Sequence, residues 1–143
     1  MASSVDLLDA NVWLALAVEA HTHHRQAKTY WENDAAPTAA FCRLTQMALL
    51  RLLTNKTVMG NQVLSPSAAW TTSAAFLALP EVRLLVEPLG LEAPWARFAS
   101  SDRSTQNLWA DAYLAAFAVA GAMRLVTFDK GFSRFRELDC LLL

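Results

Sequence analysis

The chain is poor in glycine, cysteine and charged residues, and each scarcity excludes a class of protein. Four glycines among 143 residues exclude a collagen-like repeat. Charged residues make up 17% of the chain and hydrophobic residues 55%, a balance that excludes a disordered chain and predicts a folded core. The net charge of −1 provides no global attraction to nucleic acid or to membranes. Any contact with nucleic acid must therefore be local.

Long apolar runs, a signal peptide and a cysteine pattern are also missing. The longest apolar run, residues 112–123, is too short to span a bilayer and predicts a buried helix. The N-terminus has no basic region followed by an apolar run and a cleavage site. Cys42 and Cys140 do not have a metal-ligand spacing and are expected to be reduced, packed thiols. We therefore expect a cytoplasmic protein with no membrane partner.

Short strand-like runs alternate with helical stretches along the chain. Strands are predicted at residues 5–10, 37–41, 82–86, 124–128 and 140–143. Helices are predicted at residues 12–19, 22–33, 43–54, 65–79, 91–100 and 107–120. Thr22 is the expected N-cap of the second helix and Ser65 that of the fourth, where Pro66 occupies the first turn. This alternation predicts an α/β fold with a parallel sheet covered by helices on both faces.

Three aspartates stand where an open parallel sheet places its ligand site, outside the carboxyl ends of the strands. Asp9 ends the first predicted strand, Asp129 follows the fourth, and Asp111 lies near the start of the apolar helix before that strand. Taken alone, Asp9 could be a helix cap, Asp111 a charge that complements a helix N-terminus, and Asp129 a turn residue. Taken together, converging carboxylates repel one another, and a divalent cation with a preference for hard oxygen ligands, Mg²⁺ or Mn²⁺, relieves that repulsion.

Four segments of the sequence resemble the motif blocks of PIN-domain ribonucleases, in the right order and over nearly the whole chain. They are DANVWLAL from residue 9, FCRLTQMALLRLLTN from residue 41, WADAYLAAFA from residue 109 and LVTFDKGF from residue 125. The closest resemblance is to the VapC toxins of bacterial toxin–antitoxin pairs. It implies a single PIN domain over residues 1–143, with a PIN-like three-layer α/β/α fold around a central twisted parallel β-sheet.

The same resemblance implies an Mg²⁺- or Mn²⁺-dependent endoribonuclease. Asp9, Asp111 and Asp129 fall on acids that are catalytic and hold the metal ion, which would activate a water and neutralise charge on the phosphate. Asn11 and Thr127 fall on small polar positions that orient the acids or the attacking water. The resemblance also implies a homodimer and a VapB-like antitoxin whose tail fills the active site.

The sequence departs from the family at one position. The family's second acid, a glutamate, falls on Gln46, and a neutral amide cannot act as a general base and is a weaker metal partner. We expect Gln46 to remain in the catalytic group and to hydrogen-bond a neighbouring acid or a bound water. The alternative function is a weakened PIN-like module that binds RNA or an antitoxin without cutting.

Local cations are expected to steer the RNA. Arg43, Lys130 and Arg134 are the candidate RNA-binding residues, and the nine arginines against three lysines suit phosphate recognition. For each of them, an ordinary solvated surface charge is the alternative interpretation.

Three other interpretations, a histidine metal site, base stacking by tryptophan and a different phosphate-handling fold, are less well supported by the sequence. His21, His23 and His24 have no acid or cysteine at a matching spacing, so surface residues at a helix start are favoured over a metal site. Core packing is favoured over base stacking for Trp13 and Trp109. A haloacid-dehalogenase-type phosphatase needs an aspartate where Asn11 stands, and a receiver domain needs an acid pair, whereas Asp6 and Asp9 face opposite sides of a strand.

Overall fold

Five parallel strands form the central sheet of the computed structural model, which describes residues 3–100 and 104–143. The strands are β1 (Val5–Leu8), β2 (Thr38–Phe41), β3 (Val82–Leu84), β4 (Arg124–Thr127) and β5 (Cys140–Leu142), in the spatial order β3-β2-β1-β4-β5. Every pairing is parallel. The predicted α/β fold is confirmed, and the carboxyl ends of β1 and β4 lie side by side at the middle of one sheet edge.

Helices connect the strands. They are α1 (Ala10–Ala17), α2 (His24–Asn33), α3 (Arg43–Leu53), α4 (Lys56–Met59), α5 (Pro66–Leu77), α6 (Glu92–Ala99) and α7 (Leu108–Ala120). Short 3₁₀ turns cover Gly60–Gln62 and Lys130–Arg134. The short helix α4 and both turns were not predicted, because three to five residues are too few to show a helical period.

Two helix starts test the capping predictions, and the structure confirms one of them and contradicts the other. Ser65 caps α5 by accepting a hydrogen bond from the Ala68 amide at 3.1 Å, as predicted. Thr22 as the cap of α2 is wrong: the helix begins at His24 with His23 as its N-cap. The backbone amides of His21 and His24 bond the carbonyls of Val18 and His21, so residues 18–24 form consecutive turns that delay the helix.

The core lies on both faces of the sheet. On one face, Leu7 and Leu125 pack with α6 and α7; on the other, Leu8 and Val126 pack with α1, α2, α3 and α5. Successive strand residues therefore face opposite layers, as a sheet covered on both sides requires. No helix among the described residues is both long and apolar enough to cross a membrane.

A buried ion pair joins the two central strands at the edge opposite the three aspartates. Asp6 on β1 and Arg124 on β4 are register partners. Arg124 Nε donates to Asp6 Oδ1 at 2.8 Å and Arg124 Nη2 donates to Asp6 Oδ2 at 2.9 Å. The Tyr30 hydroxyl and the Ala36 amide also donate to Asp6 Oδ2. This network fixes the β1–β4 register, and with it the relative positions of Asp9 and Asp129.

Candidate active site

Asp9 is held at the junction between β1 and α1. Its Oδ1 accepts from the Ala10 amide and its Oδ2 accepts from Thr127 Oγ1, both at 2.8 Å. Thr127 Oγ1 in turn accepts from the Asp129 amide at 3.0 Å. One threonine at the end of β4 therefore links two of the three predicted acids. Asp9 is the N-cap of α1, so the capping and site interpretations of this residue apply together.

Asp111 and Asp129 approach Asp9 from α7 and from the end of β4. Asp111 lies in the first turn of α7, and its Oδ2 is 3.4 Å from Arg134 Nη2. Asp129 caps the Lys130–Arg134 turn by accepting from the Gly131 amide at 2.8 Å. Arg134 is held by a bond from Nη1 to the Gly131 carbonyl at 2.8 Å and lies over the Phe135 ring.

The electrostatics of these acids differ from those of surface carboxylates. Burial raises the pKa of Asp9, and the charges of Asp111 and Asp129 raise it further, against the bonds from Thr127 and Ala10. Burial also raises the pKa of Asp111, which Arg134 counteracts. The three acids are thus close enough to disfavour one another's charge, which is the condition that a bound cation relieves.

The donor chemistry fits a hard divalent cation, but the site is not preformed. Carboxylate oxygens are the ligands that Mg²⁺ and Mn²⁺ prefer. Within residues 3–100 and 104–143, no three acidic, histidine or cysteine side chains lie close enough together to share a metal ion. Arg134 instead supplies positive charge beside Asp111. A cation shared by these acids would need the carboxylates to lie closer together than they do in this structure.

Gln46 lies on α3, which begins immediately after β2, and is almost fully buried. Its Oε1 accepts from Arg43 Nη1 at 2.6 Å and its Nε2 donates to Ser73 Oγ at 3.3 Å. Of the two partners expected for Gln46, the neighbouring acid is therefore wrong, and the bound water stays a prediction. Arg43, one helical turn earlier, and Ser73 on α5 take up both ends of the amide instead.

Two clefts adjoin the carboxylates. The first, of about 690 Å³ and called here the arginine cleft, is lined by Asp111, three arginines (Arg97, Arg134 and Arg136), Phe98, Phe135 and residues 105–108. The second, of about 500 Å³ and called here the histidine groove, is lined by Asn11, His21, Thr22, His23, Phe128 and Asp129. Asp111 lines one cleft and Asp129 the other, so the acids lie between a cationic cleft and an aromatic one.

The remaining predicted residues fall into three places. Asn11 is exposed in the histidine groove, beside Asp129. Lys130 and Arg43 are exposed, on the turn after Asp129 and at the start of α3. Trp13 is fully buried and stacked on Phe41 with ring centroids 3.9 Å apart, so it is a core residue and base stacking is excluded for it.

The sequence interpretation missed two of the residues that line the clefts. Arg97 and Phe128 were not singled out, since neither lies in a charge cluster or an unusual pattern. The position of Phe128 between Thr127 and Asp129 was the one signal available for it.

Comparisons with known proteins show the family of this chain. The PIN domain family matches residues 7–138. Ribonuclease VapC41 from Mycobacterium tuberculosis is 44% identical over 96% of this chain and 97% of its own length. Ribonuclease VapC37 from the same organism is 34% identical over 90% of both chains.

Solved structures share the fold. The crystal structure of VapC20 from Mycobacterium tuberculosis, a toxin that cleaves the sarcin–ricin loop, superimposes with a TM-score of 0.67 at 21% identity, over 90% of this chain and 93% of that one. VapBC2 from Rickettsia felis, bound to a promoter DNA fragment, has a TM-score of 0.67 at 13% identity, over 96% of this chain and 98% of that one. The predicted PIN-like α/β/α fold is confirmed. The chain belongs to the PIN-domain family and, within it, to the VapC-type ribonucleases.

Proposed function

We propose that this chain is the toxin of a VapBC-type pair and cuts RNA with a divalent cation, Mg²⁺ or Mn²⁺, held by Asp9, Asp111 and Asp129. The observation that carries the proposal is the meeting of these acids at the carboxyl ends of β1 and β4, where burial and mutual repulsion raise the pKa of Asp9. Asp9 and Asp129 each cap local structure, but capping alone does not require three acids to meet. Because like charges near one another cost stability, the cluster is best explained by a cation that compensates them.

A bound divalent cation supplies an acidified water and neutralises charge on the phosphate. The chain's own residues prepare that chemistry. Thr127 donates to Asp9 Oδ2. This hydrogen bond holds the Asp9 side chain in one rotamer, so the remaining lone pairs of the carboxylate have a fixed direction. Asp129 is held through one oxygen by the Gly131 amide. Its other oxygen has no hydrogen bond from the described residues and can orient the attacking water. Asn11 stands beside Asp129 and can position the same water.

Arg134 has two roles in this proposal. Beside Asp111 it offsets part of the charge of the acids. It also lines the arginine cleft together with Arg97 and Arg136, where planar guanidinium groups suit phosphate oxygens. When RNA lies in this cleft, its phosphates compete with Asp111 for Arg134 and release the carboxylate for the cation. Lys130 and Arg43 add charge nearby.

The partners of this chain follow from the same proposal. RNA is the substrate, a VapB-like antitoxin is the protein that blocks the site, and the reaction takes place in the cytoplasm. Exposed apolar side chains support a protein interface: Trp70 and Trp109 are 57% and 62% exposed, which is unusual for large aromatic residues. Trp70 on α5 and Trp109 on α7 lie on opposite sides of the sheet, and a second copy of the chain is expected to cover one of them in a homodimer.

The decisive experiment is the cleavage of total cellular RNA by purified protein, with Mg²⁺ or Mn²⁺ and with EDTA. The wild type is compared with Asp9→Asn and with Asp34→Asn, a matched control at an exposed aspartate after α2. We expect metal-dependent cutting by the wild type and the control. Asp9→Asn is expected to lose more than about a hundredfold in rate, beyond what an outer-shell partner contributes. Cutting in EDTA, or undiminished cutting by folded Asp9→Asn, would contradict the proposal.

Gln46 supports a second candidate function, an RNA- or antitoxin-binding module that no longer cuts. A neutral amide in place of the family's glutamate removes one charge from the acid group. This function is supported over the first if the folded wild type binds RNA without cutting it and Gln46→Glu gains metal-dependent cleavage.

A further inference from the structure

The histidine groove is a feature of the molecule that the metal chemistry uses only through Asp129 and Asn11. It begins at Asp129 and runs along the turns between α1 and α2, where His21, Thr22 and His23 line one wall. At about 500 Å³ it has room for a nucleobase and its ribose. It therefore extends the reaction centre on the side away from the arginine cleft.

His23 presents an aromatic ring in this groove in a fixed orientation. The ring stacks on Phe128 with centroids 4.7 Å apart and planes 23° from parallel. His23 Nδ1 lies 2.8 Å from Gln26 Oε1, so a hydrogen bond holds the ring from its edge. The residue is nonetheless exposed. The His21 ring lies 5.8 Å from the His23 ring, tilted by 46°. An exposed ring that is held in place offers a surface for stacking, with little entropy left to lose on binding.

The chemistry of the groove suits a base better than a phosphate. None of the described residues that line it is a lysine or an arginine. Burial lowers the pKa of His21, and the neighbouring histidines lower it further, which favours the neutral form of this side chain. The amide of Asn11 and the hydroxyl of Thr22 can donate to and accept from the edge of a base. Phosphates are better served by the three arginines of the opposite cleft.

We propose that the histidine groove is a base-binding subsite, in which an unpaired RNA base next to the cut phosphate stacks on His23 and meets Asn11 and Thr22 at its edge. The inference rests on the proposed ribonuclease function, because it assigns one side of the same RNA strand. The bound RNA strand then runs from the arginine cleft, which binds its phosphates, past the carboxylates to the histidine groove, which binds a base. Recognition of unpaired bases by aromatic stacking is the usual basis of sequence preference on RNA.

The test is RNA binding in EDTA, where the proposed reaction does not proceed. Fluorescence anisotropy measures the affinity of fluorescein-labelled RNA octamers of adenine, cytosine or uracil, and of an abasic ribose-phosphate octamer. The wild type is compared with His23→Ala, with His23→Phe, which keeps the stacking surface, and with Arg25→Ala. Arg25 is an exposed neighbour outside the groove and controls for the loss of charge on α2.

Stacking on an aromatic side chain is worth about 5- to 150-fold in affinity for one base. We therefore expect His23→Ala to weaken the best-bound octamer by about fivefold or more. His23→Phe and Arg25→Ala should remain within about twofold of the wild type, at the scale of surface substitutions. Binding of the abasic octamer should not change.

Two results would overturn the subsite. The first is undiminished octamer binding by His23→Ala, and the second is an equal loss for the abasic octamer, which would indicate a phosphate contact. A loss in His23→Phe as large as that in His23→Ala would overturn stacking as the mechanism. Failure of the ribonuclease proposal is distinguishable from these outcomes, since it appears as metal-dependent RNA cleavage missing from the wild type. If the wild type neither cuts nor binds any octamer, both proposals fall.

Discussion

Two arginine–carboxylate pairs in this protein have nearly the same length and very different surroundings. Arg124 lies 2.8 Å from Asp6, whose side chain is fully buried. Arg97 lies 2.7 Å from Glu137, and both of these side chains are about half exposed. Replacing each arginine with methionine keeps most of the apolar stem and removes the charge. The comparison of Arg124→Met with Arg97→Met therefore isolates the effect of burial on the contribution of an ion pair to the free energy of unfolding.

The expected magnitudes follow from what each carboxylate retains. Without Arg124, the buried Asp6 carboxylate keeps two donors among the described residues, the Tyr30 hydroxyl and the Ala36 amide. Leaving a buried charge uncompensated costs about 3–5 kcal/mol. Because Arg124 itself is a quarter exposed, water can reach its vacated place, and we expect about 3 kcal/mol, at the low end of this range. Glu137 is already solvated, so Arg97→Met is expected to cost less than about 1 kcal/mol.

Thermal and urea unfolding followed by circular dichroism measure this difference. For a chain of this size, about 3 kcal/mol corresponds to a fall in Tm of about 6–12 °C, against less than about 4 °C for Arg97→Met. Adding Asp6→Asn to Arg124→Met should recover part of the loss, because it removes the orphaned charge. Equal losses for the two arginine variants would refute the argument, and so would a further loss in the double variant.

Three further predictions concern the acids. Burial raises the pKa of Asp9 above 3.8 in the folded protein, so ionisation of this carboxyl opposes folding. As the pH rises from 3.8 through the raised pKa, the wild type should therefore lose stability relative to Asp9→Asn. Thermal melts from about pH 4 to pH 8 check this, and parallel curves would contradict it. In Gln46→Glu the new carboxylate meets Arg43, now 2.6 Å from the amide oxygen, so calorimetry should show Mn²⁺ affinity within about tenfold of the wild type. A clear gain in Gln46→Glu alone would show that Arg43 does not quench the charge. Arg134→Gln should bind Mn²⁺ more tightly, because the guanidinium 3.4 Å from Asp111 is removed. It should bind RNA more weakly, because a group that binds phosphate is removed. A change of the same sign in both affinities would be inconsistent with the two roles assigned to Arg134.

The sequence was sufficient to predict the sheet, because each strand is a short apolar run bounded by a helix or a turn. It was also sufficient to predict that Asp9 and Asp129 share an edge, since parallel strands impose this whatever the side chains do. It was not sufficient for contacts between distant residues. The pairing of Asp6 with Arg124 spans 118 positions and that of Asp111 with Arg134 spans 23. Hydrophobic periodicity carries no information on which polar group meets which.

Gln46 shows why a residue's partners must be known before its role is assigned. From the sequence, the amide is a missing acid and therefore a weakness of the metal site. In the structure its oxygen is bonded to Arg43, and a glutamate at this position would pair with that guanidinium. The amide leaves Arg43 exposed and with its full charge, at the same sheet edge as the acids. The amide thus keeps a fourth carboxylate away from the sheet edge where the three acids lie, and it leaves the positive charge of Arg43 without an acidic partner on α3. A site with three carboxylates is therefore electrostatically coherent.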